Sequence, residues 1–141
     1  GGYYNMRGES ISLRSACFDT FMRQSDCLTI AIGDGGNEIG MGNIGDALRN
    51  LDIVPAATTC DELIVADVSN WGGHGLVAML SFLQGEDLLA SFNLLTCLEY
   101  FSARGSVDGV TRENTLTEDG LPVSDGEQLL LNLRHLAGFT A

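Results

Sequence analysis

The chain has 141 residues, of which 45% are hydrophobic and 18% charged, and its formal net charge is −12 at pH 7. A chain of this length and composition buries roughly two thirds of its unfolded surface, which excludes a largely disordered protein. No run of about 18 apolar residues is present, which excludes a membrane span. The acidic balance disfavours nucleic acid and anionic membranes as partners.

The basic residues and the cysteines further limit the reactions that this chain can catalyse. All seven basic residues are arginines, so a pyridoxal phosphate Schiff base, a Walker A lysine and a kinase lysine are impossible within this chain. The four cysteines are widely spaced, which predicts buried free thiols in a reducing compartment. No targeting signal is readable at Gly1-Gly2-Tyr3-Tyr4, and we expect a cytoplasmic or mitochondrial matrix protein that is not secreted.

The first half of the chain alternates helix and strand. Apolar spacing predicts a helix from Ser10 or Ser12 to about Gln24. Residues 28–32 read as a buried strand that stops at Gly33. A glycine-rich turn over 33–45 follows, and residues 46–51 have the pattern of a helical turn or two.

The second half of the chain also combines a predicted strand with predicted helices. It predicts a strand at 62–68, a loop at 69–75 and a helix at 76–84. A longer helix capped by Asp87 then ends before Gly105, and 105–122 read as a polar loop. Ser124 and Glu127 match a capping box for a last helix that Gly138 stops.

This order predicts an α/β fold, with a parallel-stranded sheet, flanking helices and glycine-rich loops at the strand carboxyl ends. Two strands make a thin sheet, so further strands either escape the sequence pattern or come from a partner segment. We expect one α/β domain over residues 1–141.

The glycine-rich segment at 33–42 carries Asp34, Asn37 and Glu38 between closely spaced glycines. Backbone amides in such a turn can form an anion-binding nest. Two carboxylates and a carboxamide suit general acid/base work or a hard cation such as magnesium or manganese. The alternative is a strained glycine turn with solvated acids. The G-x-G-x-x-G register of a dinucleotide site fails here.

The segment at 69–75 follows the second strand, so it should emerge at the same sheet edge. Asn70 could hydrogen-bond a substrate carboxylate or amide, and Trp71 could form one wall of a pocket. His74 could titrate near neutrality. The alternative places Trp71 in the core and His74 at a helix start.

Two shorter motifs complete the set. The segment at 3–8 contains Arg7, a residue suited to clamping a carboxylate with two hydrogen bonds; the alternative is an exposed terminal strand. Asp108 lies in a turn between glycines at 105–111, for which an Asx turn is the alternative.

Taken together, these four motifs resemble the D-glutamate cyclase family. They read Tyr-Tyr-Asn-Met-Arg-Gly at 3–8, Gly-Asp-Gly-Gly-Asn-Glu-Ile-Gly-Met-Gly at 33–42, Ser-Asn-Trp-Gly-Gly at 69–73 and Val-Asp-Gly-Val-Thr at 107–111. The resemblance runs through nearly the whole chain and corresponds to the carboxyl-terminal half of the family's catalytic domain.

The resemblance implies a lyase that converts D-glutamate, or a similar acidic amino acid, to 5-oxo-D-proline and water. For this reaction we assign catalytic roles to Asp34, Asn37 and Glu38 as a hypothesis, in which Asp34 and Glu38 divide the base and acid duties in an order that the motifs leave open, or share a metal. The same hypothesis assigns the substrate-binding roles. The Gly35 and Gly36 amides face the oxyanion, and Arg7 and Asn70 hold substrate carboxylates. Trp71 forms one wall of the pocket, and Asp108 binds the amine.

Three matters stay open at this point. Asp34 and Glu38 could share a divalent metal, magnesium or manganese, or act without one. The rival functions are a metal-dependent hydrolase or phosphotransferase and a non-catalytic binding half that needs a partner segment. A homo-oligomer, or association with a missing amino-terminal half, would supply the rest of the sheet.

Overall fold

The computed structural model describes residues 2–139. The chain forms two compact units, Gly1–Gly72 and Gly73–Ala141. The expectation of one domain over residues 1–141 stays a prediction.

The first unit contains a parallel sheet of two strands, β1 (Ile30–Gly33) and β2 (Glu62–Val65). Ile30 pairs with Glu62 at one end and Gly33 with Val65 at the other. The prediction of an α/β fold with parallel strands and flanking helices is confirmed at this level. The core residues of this unit are Ala31, Met41, Leu48 and Val68, all buried.

The helix predicted from residue 10 or 12 to residue 24 is wrong in its first half. A 3₁₀ turn covers Ser12–Arg14 and α1 covers only Asp19–Gln24. Ser15 between them is extended, with ψ 136°. The Ser12 hydroxyl accepts a hydrogen bond from the Tyr3 amide at 2.9 Å, so the expected cap is used outside any helix.

The glycine-rich segment leads into a 3₁₀ turn at Gly42–Ile44 and the short helix α2, Gly45–Leu48. The helical turn predicted over 46–51 therefore begins and ends earlier. Gly42 has no room for a side chain, because a Cβ there would lie 2.7 Å from the Thr58 carbonyl oxygen.

The loop predicted at 69–75 is wrong, because helix α3 spans Ser69–Gln84. It begins in the first unit and continues into the second. Gly72 lies in its first turn, where a Cβ would come within 2.6 Å of Ile32 Cγ2. A glycine is needed at position 72 because the helix packs closely on β1, and it does not indicate a loop. The helix predicted over 76–84 is confirmed as the later part of α3.

In the second unit, helix α4 (Leu94–Ser102) begins later than predicted and is capped by Asn93, which accepts from the Thr96 amide at 2.8 Å. Asp87, the expected cap, instead accepts from the Leu89 amide at 3.2 Å.

Part of the segment predicted as a loop at 105–122 is a small antiparallel hairpin. It is formed by β3 (Thr117–Glu118) and β4 (Leu121–Pro122). Asp119 and Gly120 connect the strands with φ values of 49° and 85°. Positive φ at both central residues is what tight hairpin turns of this kind require.

The last helix, α5 (Val123–Leu136), begins directly after Pro122 without a side-chain cap. The predicted capping box is wrong, since the Ser124 hydroxyl contacts Asp125 instead. The predicted stop is confirmed: Gly138 has φ 90° and donates to the His135 carbonyl. The core of the second unit consists of Ala78, Leu89, Leu94 and Leu130.

The cysteines are free, as expected, but not buried. Cys17 and Cys27 are exposed, and Cys60 and Cys97 are partly buried. Among residues 2–139, no helix is long and apolar enough to cross a membrane.

Candidate functional site

Asp34 is the first residue after β1, and its exposed side chain reaches the start of α3. Its Oδ2 atom accepts hydrogen bonds from the Ser69 amide, at 2.9 Å, and from the Ser69 hydroxyl. The carboxylate therefore joins the carboxyl end of β1 to the first residue of α3. Oδ1 accepts no hydrogen bond from any residue in the range 2–139.

Glu38 lies over the glycine-rich turn. Its Oε1 accepts from the Gly35 amide at 3.2 Å and its Oε2 from the Gly36 amide at 2.8 Å. Gly36 has φ 101°, and a Cβ there would lie 2.8 Å from Leu48 Cδ2. The two amides thus form a carboxylate-binding turn that the chain's own Glu38 fills. An oxyanion would reach them only after Glu38 moves away.

The segment at 3–8 lies beside this turn. Asn37 Nδ2 donates to the Tyr4 carbonyl at 2.9 Å. A Cβ on Gly35 would be 2.7 Å from Met6 Sδ, so Met6 covers the turn. Two motifs that are about thirty residues apart in the sequence are therefore brought together, with Asn37 as the connecting side chain.

Arg7 is exposed in the tight turn of this segment, where its amide donates to Asn5 Oδ1 at 3.0 Å. Its guanidinium takes part in none of the ion pairs formed among residues 2–139. Asn70, which is exposed, and Trp71, which is half-buried, lie in the first turn of α3, directly after Ser69. Their substrate-binding roles stay predictions.

Asp108 belongs to the second unit and is only 5% exposed. Its Oδ1 accepts from the Val110 and Thr111 amides at 2.9 and 2.8 Å, and its Oδ2 from Thr117 Oγ1 at 2.6 Å and the Gly120 amide at 2.8 Å. Burial alone would raise the pKa of Asp108, but these four donors outweigh it and hold the pKa well below its usual range. The hydrogen bonds to Oδ1 are those of an Asx turn, which is the alternative that the sequence offered for Asp108. An amine ligand would have to compete with the four donors that already bind this carboxylate.

His74 also belongs to the second unit, in α3 rather than in a loop. Its ring centroid lies 5.1 Å from that of Phe92. Nε2 is buried and has no hydrogen-bond partner among the described residues. Burial lowers the pKa of His74, and the negative charge of Glu118 partly offsets this.

The comparisons with known proteins bear on this arrangement. A family model described as D-glutamate cyclase-like, C-terminal, matches residues 1–134. The chain belongs to this family. The resemblance drawn from the four motifs is confirmed.

A curated human protein, "D-glutamate cyclase, mitochondrial", is 36% identical over 91 residues, covering 59% of this chain and 15% of that protein. The chain therefore matches only a small part of the length of this relative. The name of the human protein places it in the mitochondrion.

The sharing of a divalent metal by Asp34 and Glu38 stays a prediction. Among residues 2–139, no group of three or more His, Cys, Asp or Glu side chains is arranged to hold a metal ion. Both Glu38 oxygens accept backbone amides, and one Asp34 oxygen accepts two donors. Asp34 Oδ1 is the one oxygen of these two carboxylates that accepts no hydrogen bond from residues 2–139, and magnesium commonly uses one or two carboxylates completed by waters.

Sequence reasoning missed Ser69 as a member of this site. It stands directly before Asn70 and Trp71, and its hydroxyl contacts Asp34. The available signal was a serine preceding a helical apolar pattern, the usual sequence mark of a helix start. The glycines at 72, 73 and 75 obscured that pattern by suggesting a loop.

Proposed function

We propose that this chain carries a D-glutamate cyclase-like lyase activity, which converts D-glutamate to 5-oxo-D-proline and water. The observation that supports it most is the meeting of three motifs in the first unit. Asn37 contacts the segment at 3–8, and Asp34 contacts the start of α3. The chain's membership of the D-glutamate cyclase-like family gives this meeting its chemical meaning.

The reaction sets simple demands on the protein. A bond forms between the α-nitrogen and the γ-carboxyl carbon, and one carbon–oxygen bond of that carboxyl group breaks. The ammonium nitrogen loses two protons, and the departing oxygen takes up both as water. One carboxylate can therefore move both protons in turn, as base and then as acid.

Asp34 is the group that moves these protons. Its Oδ1 has no hydrogen-bond donor among residues 2–139 and its side chain is exposed, so this oxygen is available to an ammonium group. Glu38 is less suited, because both of its oxygens already accept hydrogen bonds from backbone amides.

Glu38 holds the glycine-rich turn in shape, with Asn37 tying the turn to the segment at 3–8. The Gly35 and Gly36 amides stabilise the oxyanion in the state in which Glu38 has moved aside.

Arg7 and Asn70 hold the two substrate carboxylates, and Trp71 forms one wall of the pocket. A cationic point is needed, because the substrate is an anion approaching a chain of net charge −12. Holding the substrate curled brings the α-nitrogen close to the γ-carboxyl carbon, which removes much of the entropic barrier to ring closure.

The proposed activity needs no metal, because both Glu38 oxygens and Asp34 Oδ2 already accept hydrogen bonds from the chain. Dialysis against EDTA should leave conversion unchanged, and added manganese should not raise it. Loss of conversion with EDTA and its return with manganese would instead show that the cyclisation uses a divalent metal.

The direct test is chiral chromatography with mass detection of the folded chain incubated with D-glutamate and, separately, with 5-oxo-D-proline. The human relative serves as the positive control. Asp34→Asn keeps the shape of the side chain and should lower kcat at least about 100-fold, because the base is lost. Conversion that survives Asp34→Asn would contradict the role of Asp34.

No conversion by the folded wild-type chain, under conditions in which the human relative is active, would contradict activity of this chain alone. Conversion on mixing it with a longer family member lacking these residues would then favour the binding half that needs a partner segment. A mitochondrial or cytoplasmic location remains part of this proposal, and fractionation of cells that express the chain tests it.

A further inference from the structure

We propose that Ser69 is the positioning residue for Asp34, holding the carboxylate so that Oδ1 faces the substrate ammonium. This inference rests on the proposed function and adds a residue to it.

Ser69 and Asp34 are joined by two hydrogen bonds. The Ser69 amide and hydroxyl both donate to the same atom, Asp34 Oδ2. The amide is one of the first N–H groups of α3, which have no partner within the helix. A carboxylate is favoured there by hydrogen bonding and by the helix dipole.

Ser69 itself is held firmly in place. The residue before it, Val68, is 2% exposed. Three residues further on, Gly72 packs the first turn of α3 against Ile32 in β1. The start of α3 is therefore set by the sheet that also carries Asp34, so the two partners belong to one packed assembly.

The second donor is what orients the carboxylate. Rotation of an aspartate about χ2 has broad, shallow minima, and a single N–H donor to Oδ2 leaves that rotation loosely restrained. The hydroxyl adds a second direction of bonding to the same oxygen. With Oδ2 held twice, Oδ1 is the oxygen left for the substrate.

The chain contains a matched control at the opposite end of the sheet. Asp61 Oδ2 accepts from the Thr29 amide at 2.8 Å and from Thr29 Oγ1 at 2.7 Å. Thr29 precedes β1 and Asp61 precedes β2, whereas Asp34 follows β1. The same pair of donors thus occurs once near the strand carboxyl ends and once at the amino ends, where no catalytic role is proposed.

The experiment compares Ser69→Ala, Ser69→Thr and Thr29→Ala in steady-state conversion of D-glutamate. Ser69→Ala keeps the amide donor and removes only the hydroxyl, so kcat should fall about tenfold while KM changes less than about twofold. The pH profile of kcat should shift as well, because the charged carboxylate loses a donor. Ser69→Thr should restore both, and Thr29→Ala should leave both unchanged.

A double-mutant cycle keeps the test decisive if Ser69→Ala folds poorly. In an Asp34→Asn background, Ser69→Ala should not lower the residual kcat further, because Ser69 acts through the carboxylate. Fully additive losses would overturn the inference, as would a Ser69→Ala variant with the kcat and pH profile of Thr29→Ala. In both cases wild-type conversion would still stand, so the proposed function would survive. Absence of wild-type conversion would overturn both proposals.

Discussion

At the residue scale, the site is defined by which atoms of each carboxylate are already bonded. Asp34 and Glu38 are four positions apart and look equivalent in the sequence. Glu38 accepts the Gly35 and Gly36 amides with its two oxygens, whereas Asp34 is held through Oδ2 alone. This difference separates a group that shapes the turn from a group available to a substrate.

Arg7 is expected to act in substrate binding. Arg7→Ala should raise KM for D-glutamate about tenfold or more with a smaller change in kcat, because a charged two-point hydrogen bond to a carboxylate is lost. Arg7→Lys should recover only part of the loss, since lysine lacks the planar fork. Steady-state kinetics check this, with Arg49→Ala as the control, because Arg49 is exposed and pairs with Asp46. An unchanged KM in Arg7→Ala would remove Arg7 from the site.

Asp108 is expected to act in stability. Asp108→Asn should lower the free energy of unfolding by about 1–3 kcal/mol, because an amide NH₂ cannot accept from the Gly120 amide. The pKa of Asp108 is depressed in the folded state. Its contribution to stability is therefore present above the unfolded-state pKa of about 4 and is lost as pH falls through the folded value.

Urea denaturation at pH 7 and at lower pH measures both effects. The wild type should lose stability on acidification more steeply than Asp108→Asn does. Asp26→Asn, which removes an exposed carboxylate, serves as the control. Equal stability of Asp108→Asn and wild type at pH 7 would contradict the role of the four hydrogen bonds.

At the element scale, the two glycine-rich signals have different physical origins. The glycines near Asp34 include Gly36 and Gly40, whose φ values of 101° and 102° an L residue rarely adopts. Gly72 is helical, and its glycine is required by the approach of Ile32. Composition alone does not distinguish a turn from a close helix–sheet contact, so the loop predicted at 69–75 was wrong.

Two glycines of α3 provide a paired test of this reading. Gly72→Ala should lower the free energy of unfolding by about 1–3 kcal/mol, because its Cβ would lie 2.6 Å from Ile32 Cγ2. Gly75→Ala meets nothing within 4 Å and should raise it by up to about 1 kcal/mol through helix propensity. Thermal and urea denaturation of both variants give the comparison, and two changes of the same sign would contradict the packing argument.

Other element boundaries depended on competing partners. The β3–β4 hairpin was predictable, because Asp119-Gly120 is a strong sequence signal for a hairpin turn. It was missed because the polar composition of 105–122 indicated a loop. The cap expected from Ser124 is absent because α5 begins two residues earlier than that cap requires, directly after Pro122. Ser12 bonds the Tyr3 amide and not a helix, a contact that local spacing does not reveal.

At the scale of the whole molecule, the net charge of −12 acts on every anion that approaches. D-glutamate carries a net charge of −1 at neutral pH, so long-range repulsion opposes its binding. Raising ionic strength from about 10 mM to about 150 mM shortens the Debye length from about 30 Å to about 8 Å.

KM for D-glutamate should therefore fall as sodium chloride is added over this range, with little change in kcat. Steady-state assays at several salt concentrations measure this, and the human relative, assayed in parallel, provides the comparison. A KM that rises steeply with salt would mean that local attraction at Arg7 outweighs the field of the whole chain.

The family, the α/β class and the residues near which chemistry is expected follow from the amino-acid sequence alone. Those conclusions depend on local patterns: a buried strand followed by Gly-Asp-Gly-Gly, and serine before Asn-Trp-Gly. They survive even where helix boundaries shift by several residues.

The pairing of hydrogen-bond donors with the site carboxylates follows from the folded structure and not from the sequence. Ser69 and Asp34 are 35 residues apart in sequence, and Asn37 and Tyr4 are 33 apart. Asp108, by contrast, is enclosed by donors from its own turn and hairpin. Hydrogen bonds depend on distances within a few tenths of an ångström, and such distances arise from packing that no local pattern encodes.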